Sequence, residues 1–326
     1  MSRAAWIAFV VAAVGWGTGG VAVRAAFDEG VGPWTTVALR VAIAAILVIA
    51  FLAPKGLRRP DSLTMKIGTV LAVTNLLIPY VLFTFAYEQA SAGFVGLFAA
   101  LIPLATAVYA NFMLPNERLN TGKVIGLAIG FAGVAALLIS GDSGLGSEGR
   151  PLVAAALALI SVAAIGYAGG YAKRYAGRYD PLEITGLQFS LSVVVLSPAM
   201  LWFEGVPDSL TAPGWSLVLY MAVASTFLPF YLYYRLIESA PVTTVSLVGY
   251  LVPLISLVAG VVLLGEKVEP GIAVGGALIL AGMVITDRAG RTGSVVGHPR
   301  FETPSYGQDQ GSTGTIPDGE SPVAEA

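Results

Sequence analysis

The chain has 326 residues, one histidine, no cysteine and a formal net charge of −2, with 56% hydrophobic and only 12% charged residues. Its mean hydropathy is +0.78, and soluble domains carry roughly twice that share of charge, about 25%, so the composition argues against an ordinary water-soluble globule. Without cysteine there is no disulfide framework, thiolate metal site or cysteine nucleophile. The single His298 makes no histidine cluster, and there is no basic excess for nucleic acid.

The charges that exist are gathered between long uncharged runs. About 20 mostly apolar residues cross the roughly 30 Å hydrocarbon core as a helix. Ten such runs are read, at 4–26, 33–53, 64–87, 90–113, 121–140, 151–173, 181–203, 213–236, 239–264 and 269–287. The pattern predicts an all-α membrane protein. The first run is too long for a signal peptide and leads straight into a second span, so it is kept as the first helix. Pro33, Pro151, Pro181 and Pro213 stand at helix starts, where a missing N–H costs little.

Lysine and arginine give the orientation. With the N-terminus in the cytoplasm, 14 of the 18 fall on inside segments. Arg24, Arg150 and Lys267 fall outside, and Arg40 lies within a span. Both termini are therefore expected in the cytoplasm, in a cell-membrane protein of many passes. From 289 to 326 the chain is mostly small, polar or acidic, cannot bury enough apolar surface to offset its ordering entropy, and is read as a disordered cytoplasmic tail containing His298.

The second half repeats the first. Gly19-Gly20-Val-Ala-Val-Arg24 aligns with Gly169-Gly170-Tyr-Ala-Lys-Arg174. Pro33 and Leu39 align with Pro181 and Leu187 at an offset of 148. Pro79, Glu88, Ala90 and Pro103 align with Pro229, Glu238, Ala240 and Pro253 at 150. Glu117, Gly122, Gly126 and Gly133 align with Glu266, Gly271, Gly275 and Gly282 at 149. Similar composition alone does not pair Pro, Glu and Gly at constant spacing. Two copies follow, at 1–145 and 146–288, each of five spans. Five is odd, so the second copy enters the membrane upside down. Inverted repeats are an architecture of secondary transporters, with the site near the midplane where the copies meet.

These residues carry a resemblance. With Trp16-Gly17 in the first run, Arg40 in the second, the Pro79 to Pro103 hairpin, Asn116-Glu117-Arg118 before a glycine-rich fifth run, Gly249-Tyr-Leu-Val-Pro253 and Leu264-Gly-Glu266, the chain resembles the EamA-type transporters of the drug/metabolite transporter superfamily over about residues 5–287. The resemblance implies a ten-helix carrier, and many relatives export amino acids or other small metabolites. The second copy departs from the first: Gly166-Tyr167 stands where Trp16-Gly17 does, and Gln188 where Arg40 does. Roles are not carried across at those positions.

Arg40 lies seven residues inside its run, roughly 10 Å deep at 1.5 Å per residue, where a charge costs about 2.5–3.5 kcal/mol. It either contacts a substrate carboxylate or a gate ion pair, or it is structural, snorkelling or capping carbonyls. Trp16, Thr18, Asn75, Tyr80, Tyr167, Gln188, Tyr231 and Tyr250 are the other candidates to line a substrate cavity; Tyr109 and Tyr171 share their character. The alternative for the aromatics is an interfacial belt, and for the amides a bond between helices. Glu88 and Glu238, with Arg235 one turn before the latter, are candidate gating or coupling groups or ordinary interfacial charges. No Asp lies mid-span, which argues against a proton relay; Glu183 is expected to reach water.

Pro79, Pro103, Pro229 and Pro253 are expected to kink their helices, as hinges or as fixed bends. Gly122, Gly126 and Gly130, and Gly271 with Gly275, form small-residue stripes that suit close packing within the chain, with a homodimer face as the alternative. No metal, cofactor or nucleic acid is expected; lipid and a small-molecule substrate are. No HExxH or Walker lysine motif is present, and Ser190, Ser192 and Ser246 have no visible base, so a membrane enzyme is not supported. A secondary carrier of small organic metabolites working by alternating access is expected, in the direction of efflux. An importer of the same solutes, or a channel, is the alternative.

Overall fold

The computed structural model describes residues 3–55, 59–115, 118–207, 209–232 and 242–293. Among them all regular structure is helical. In chain order the helices are α1 Arg3–Asp28, α2 Pro33–Leu52, α3 Ser62–Gln89, α4 Ala92–Met113, α5 Thr121–Ser140, α6 Pro151–Arg174, α7 Pro181–Phe203, α8 Ala212–Leu232, α9 Val242–Leu264 and α10 Pro270–Gly293. Among the described residues nine are long and apolar enough to cross a membrane, and α9 adds an apolar stretch at Leu251–Leu264. The last helix runs to Gly293, five residues into the stretch read as tail; His298 lies outside the described residues.

The helix starts follow local chemistry. Pro33, Pro151, Pro181 and Pro213 sit in first turns, where no intrahelical bond is lost. Side chains supply caps elsewhere: Asp61 accepts from the Thr64 amide at 2.6 Å, Ser91 from Phe94 at 3.1 Å, Asn120 from Lys123 at 2.9 Å, and Thr211 from Gly214 at 3.0 Å. Gly141 ends α5 in the left-handed conformation, φ 73°, which favours a residue without Cβ.

Three pairs of helices at corresponding places in the two copies lie antiparallel. In α5 and α10, a Cβ on Gly126 would lie 2.6 Å from the Gly282 carbonyl oxygen, and one on Gly133 would lie 2.7 Å from that of Gly275. One glycine of each stripe is therefore packed inside the chain backbone on backbone, Gly126 on Gly282 and Gly275 on Gly133. In α2 and α7, Gly186 faces Leu52 and Val48 while Glu204 reaches Trp34 at the other end. In α4 and α9, Gly93 faces Leu257 and Gly249 faces Pro103. Outside these pairs, α1 lies against α8 and α9, and α6 against α3 and α4. Large apolar side chains such as Phe131, Ile139, Trp202 and Val262 stay on the outer surface.

Of the four candidate hinge prolines, three follow a distorted turn. A π-helical turn, Ala72–Leu77, precedes Pro79 in α3, and a second, Val223–Phe227, precedes Pro229 in α8. A 3₁₀ turn, Ala99–Leu101, precedes Pro103 in α4. Proline has no N–H and its ring crowds the preceding turn; a widened or tightened turn absorbs that misfit. Pro253 lies inside α9 with no such break.

The connections 29–32, 90–91, 141–150, 204–211 and 265–269 gather at one end of the bundle, joined by contacts such as Ser91 N to Ser143 O at 2.9 Å and Arg150 N to Gln89 O at 2.7 Å. This end carries Asp28, Glu29, Glu88, Asp142, Glu148, Glu204, Glu266 and Glu269 and is called the acidic face. The opposite end, with Lys55, Arg59, Lys66, Arg118, Lys123, Lys173, Arg174 and Arg178, is the basic face.

Candidate functional site: a buried arginine between two widened helix turns

The π turns matter because of what meets them. Arg40 on α2 is only 7% exposed. Its Nε donates to Thr226 Oγ1 at 3.1 Å, and its Nη2 donates to Thr226 Oγ1 at 2.9 Å and Ser225 Oγ at 3.3 Å. Both hydroxyls lie in the π turn of α8. The guanidinium carbon stands 4.8 Å from the centroid of the Tyr80 ring on α3, a cation–π distance. Gly19 lets α1 close over the group, since a Cβ there would collide with the Ser225 hydroxyl. Among the described residues the hydrogen-bond partners of Arg40 are these neutral hydroxyls. Among these residues the cation is held by hydrogen bonds but meets no carboxylate.

The same geometry recurs on α3 with an amide in place of the cation. Asn75, in the α3 π turn, donates from Nδ2 to Gln188 Oε1 on α7 at 3.1 Å. Gln188 is 2% exposed, and its buried Nε2 has no partner among the described residues. Gln188 aligns with Arg40 at offset 148, and Ser225 with Asn75 at offset 150. So corresponding positions touch twice, Arg40 with Ser225 and Gln188 with Asn75.

Other candidates lie elsewhere. Trp16 packs edge-on to Phe230 at 5.6 Å and against Leu251, Val252 and Ile255. Thr18 shares a hydrogen bond with the hydroxyl of Tyr220, which is exposed, at 2.6 Å, so it is not brought to Arg40. Tyr167 belongs to an aromatic column with Tyr109 at 5.6 Å and Tyr171 at 6.0 Å, continued by Tyr175 at 5.0 Å from Tyr171. Tyr231 packs on Phe51 at 4.9 Å beside an apolar crevice of about 10 Å³, too narrow for an organic solute. Glu88 sits at the acidic face within electrostatic reach of Glu204 and Arg24. Glu238 and Arg235 lie outside the described residues, as does the side chain of Tyr250.

Four residues of consequence were not candidates in the sequence. Ser225 and Thr226 hold Arg40, and only the offset from Asn75 to Ser225 pointed there. Glu204 accepts from the Trp34 and Thr35 amides at 2.8 and 2.7 Å, and Glu266 from the Ala92 and Gly93 amides at 2.6 and 3.0 Å. Both join distant parts of the chain at the acidic face, and Glu266 had been legible only as the repeat counterpart of Glu117 and as part of the Leu264-Gly-Glu266 motif.

The sequence profile of the EamA-like transporter family matches residues 3–139 and 152–286. A probable terminal-alkyne amino-acid exporter of Streptantibioticus cattleyicolor is 27% identical over 293 residues, 88% of this chain and 94% of that one. The uncharacterized transporter YvbV of Bacillus subtilis is 28% identical over 76% of this chain and 80% of its own. Protein PecM of Dickeya dadantii is 27% identical over 66% of this chain and 71% of its own. A solved crystal structure superposes with a TM-score of 0.59 over 90% of this chain and 99% of that one, at 21% identity, a likeness of fold alone.

Proposed function

Because the chain belongs to the EamA-like transporter family, we propose that it is a secondary carrier in the cell membrane that exports small organic solutes bearing a carboxylate, amino acids or their relatives, by alternating access. The observation that carries the solute class is Arg40. A guanidinium buried among hydroxyls and a tyrosine ring has no carboxylate partner among the described residues, and burying a charge without one is costly. A substrate carboxylate completes the set with two charge-assisted bonds. The Nε2 of Gln188, without a partner among the described residues, is a further buried donor. That the relative from Streptantibioticus carries the name of an amino-acid exporter supports this class and the outward direction.

The architecture supports the cycle. Ten spans in two inverted five-helix repeats give antiparallel contact between corresponding helices, as found for α2 with α7, α4 with α9 and α5 with α10. The Arg40 and Gln188 bonds then tie α2 to α8 and α7 to α3. Two halves result, α1, α2, α8 and α9 against α3, α4, α6 and α7, each drawing helices from both repeats. Rocking one half against the other exposes the pocket at Arg40 to one face and then to the other, with the turns at Pro79, Pro103 and Pro229 as bending points. The lysine and arginine distribution puts the basic face and both termini in the cytoplasm.

The test is solute exchange in proteoliposomes. Radiolabelled amino acids loaded inside are expected to exchange by a saturable route. Arg40→Ala is expected to raise the half-saturating concentration by about 2 kcal/mol or more, roughly 30-fold, while Arg118→Ala on the basic face changes it little. Non-saturable flux that follows only the membrane potential contradicts the carrier, and equal activity in both variants removes Arg40 from the pocket.

A further inference from the structure

The first backbone N–H groups of a helix have no partner within it and need an outside acceptor. For α2 the residue before the helix is Gly32, which brings no side chain. Pro33 has no N–H, and Thr36 donates to the Gly32 carbonyl at 2.8 Å. The two remaining donors, Trp34 and Thr35, are met by the carboxylate of Glu204 from the end of α7. For α4, Ser91 takes the Phe94 amide, and the carboxylate of Glu266, just after α9, takes those of Ala92 and Gly93. The backbone leaves room for both acids: a Cβ on Gly32 would collide with the Glu204 carboxylate, and one on Gly260 with that of Glu266.

Each bond pair crosses from one half of the molecule to the other. Glu204 reaches from α7 to α2, and Glu266 from α9 to α4. Both do so at the acidic face, in opposite directions. A carboxylate at a helix N-terminus also gains from the helix dipole. Beneath Glu266, Ser256 of α9 donates to the Ala92 carbonyl at 2.9 Å, and Val21, Ala92 and Ala259 form a buried seam between α1, α4 and α9.

We propose that Glu204 and Glu266 are latches that hold the acidic face shut, each capping a helix of the opposite half. Opening this face exchanges the carboxylate at each helix start for water, which satisfies the same amides, so the switch costs no orphaned donor. The purpose of the latches rests on the carrier reading above, but their existence is read without any solute.

The native chain has no cysteine, so one introduced thiol is a unique reporter. Val21→Cys, 5% exposed in the seam below Glu266, is labelled in detergent with a charged, water-soluble thiol reagent. Ala168→Cys, 1% exposed among α3, α6 and α7 within one half, reports general loosening. Glu266→Gln keeps the shape but removes the charge and one acceptor. It is expected to speed labelling of Val21→Cys about tenfold or more, with Glu204→Gln acting in the same direction. Ala168→Cys is expected to label at its original rate in both backgrounds, and Glu148→Gln, an exposed acid of the same face, is expected to leave both reporters unchanged. An unchanged rate at Val21→Cys in the Glu266→Gln background overturns the proposal. So does an equal gain at Ala168→Cys, or an equal effect of Glu148→Gln. A chain that passes this test yet shows no saturable exchange contradicts the carrier reading and leaves the latches standing.

Discussion

At the scale of single residues, the account turns on the difference between a charge that is bonded and a charge that is neutralised. Arg40 has good hydrogen bonds to Thr226 and Ser225 and no anionic partner among the described residues. If those hydroxyls position the guanidinium, Thr226→Val, which removes the shared acceptor at nearly constant volume, is expected to weaken solute binding by about 1.5–3 kcal/mol, read as half-saturation in the exchange assay. A binding curve unchanged in Thr226→Val contradicts a positioning role. Arg40→Lys is expected to recover part of the Arg40→Ala loss, because it restores a cation but not the two-pronged geometry. Arg40 was legible in the sequence because a cation inside an apolar run must be explained. Its partners were not, because hydroxyls are common in apolar helices and bond their own backbone, as Thr74 does to Val70 at 2.8 Å. Thr18 shows the reverse: its position near Trp16 suggested the cavity, but a helix turns about 100° per residue and its hydroxyl meets Tyr220 instead.

At the scale of helices, the places where elements begin are well marked by residue type, and the ways they deform are not. Prolines and caps at the starts of α2, α3, α6, α7 and α8 mark starts within a few residues of those observed. That Pro79 and Pro229 would disturb their helices was also readable. That each would be preceded by a π turn, and that the turn would carry the polar contacts, was not, because a widened turn depends on what packs against it. Pro229→Ala relieves the misfit in α8. It is expected to shift Ser225 and Thr226 relative to Arg40 and to lower exchange while leaving thermal stability equal or higher; full activity in Pro229→Ala contradicts a role for the turn. The glycine stripe admitted two readings, and its contact with Gly275 and Gly282 answers for α5. Gly126→Val is expected to destabilise the chain by about 1–3 kcal/mol through overpacking, read as a lowered thermal midpoint in detergent. Gly130→Ala, which meets only the tips of Leu104 and Leu101, is expected to cost less. Equal midpoints for the two variants contradict backbone contact between α5 and α10.

At the scale of the whole molecule, the repeat in the sequence carried the most structural information, since it related positions that no local pattern connects. The pairing of Arg40 with Ser225 and of Gln188 with Asn75, and the crossed contacts of Gly126 with Gly282 and Gly133 with Gly275, fall where a two-fold relation between inverted copies puts them. Glu204 has no acidic counterpart in the first copy, where Pro54, Lys55 and Gly56 stand at offsets of 150, 149 and 148; only the fold brings Glu204 to the start of α2. The central claim is that the two copies lie in opposite senses across the membrane. Ser62 and Ala212 correspond at offset 150, both are exposed, and both open a helix. Single-cysteine chains Ser62→Cys and Ala212→Cys, treated with a membrane-impermeant thiol reagent, test it directly. Ala212→Cys is expected to label in intact cells and Ser62→Cys only in inside-out vesicles; labelling of both from the same side would contradict the account.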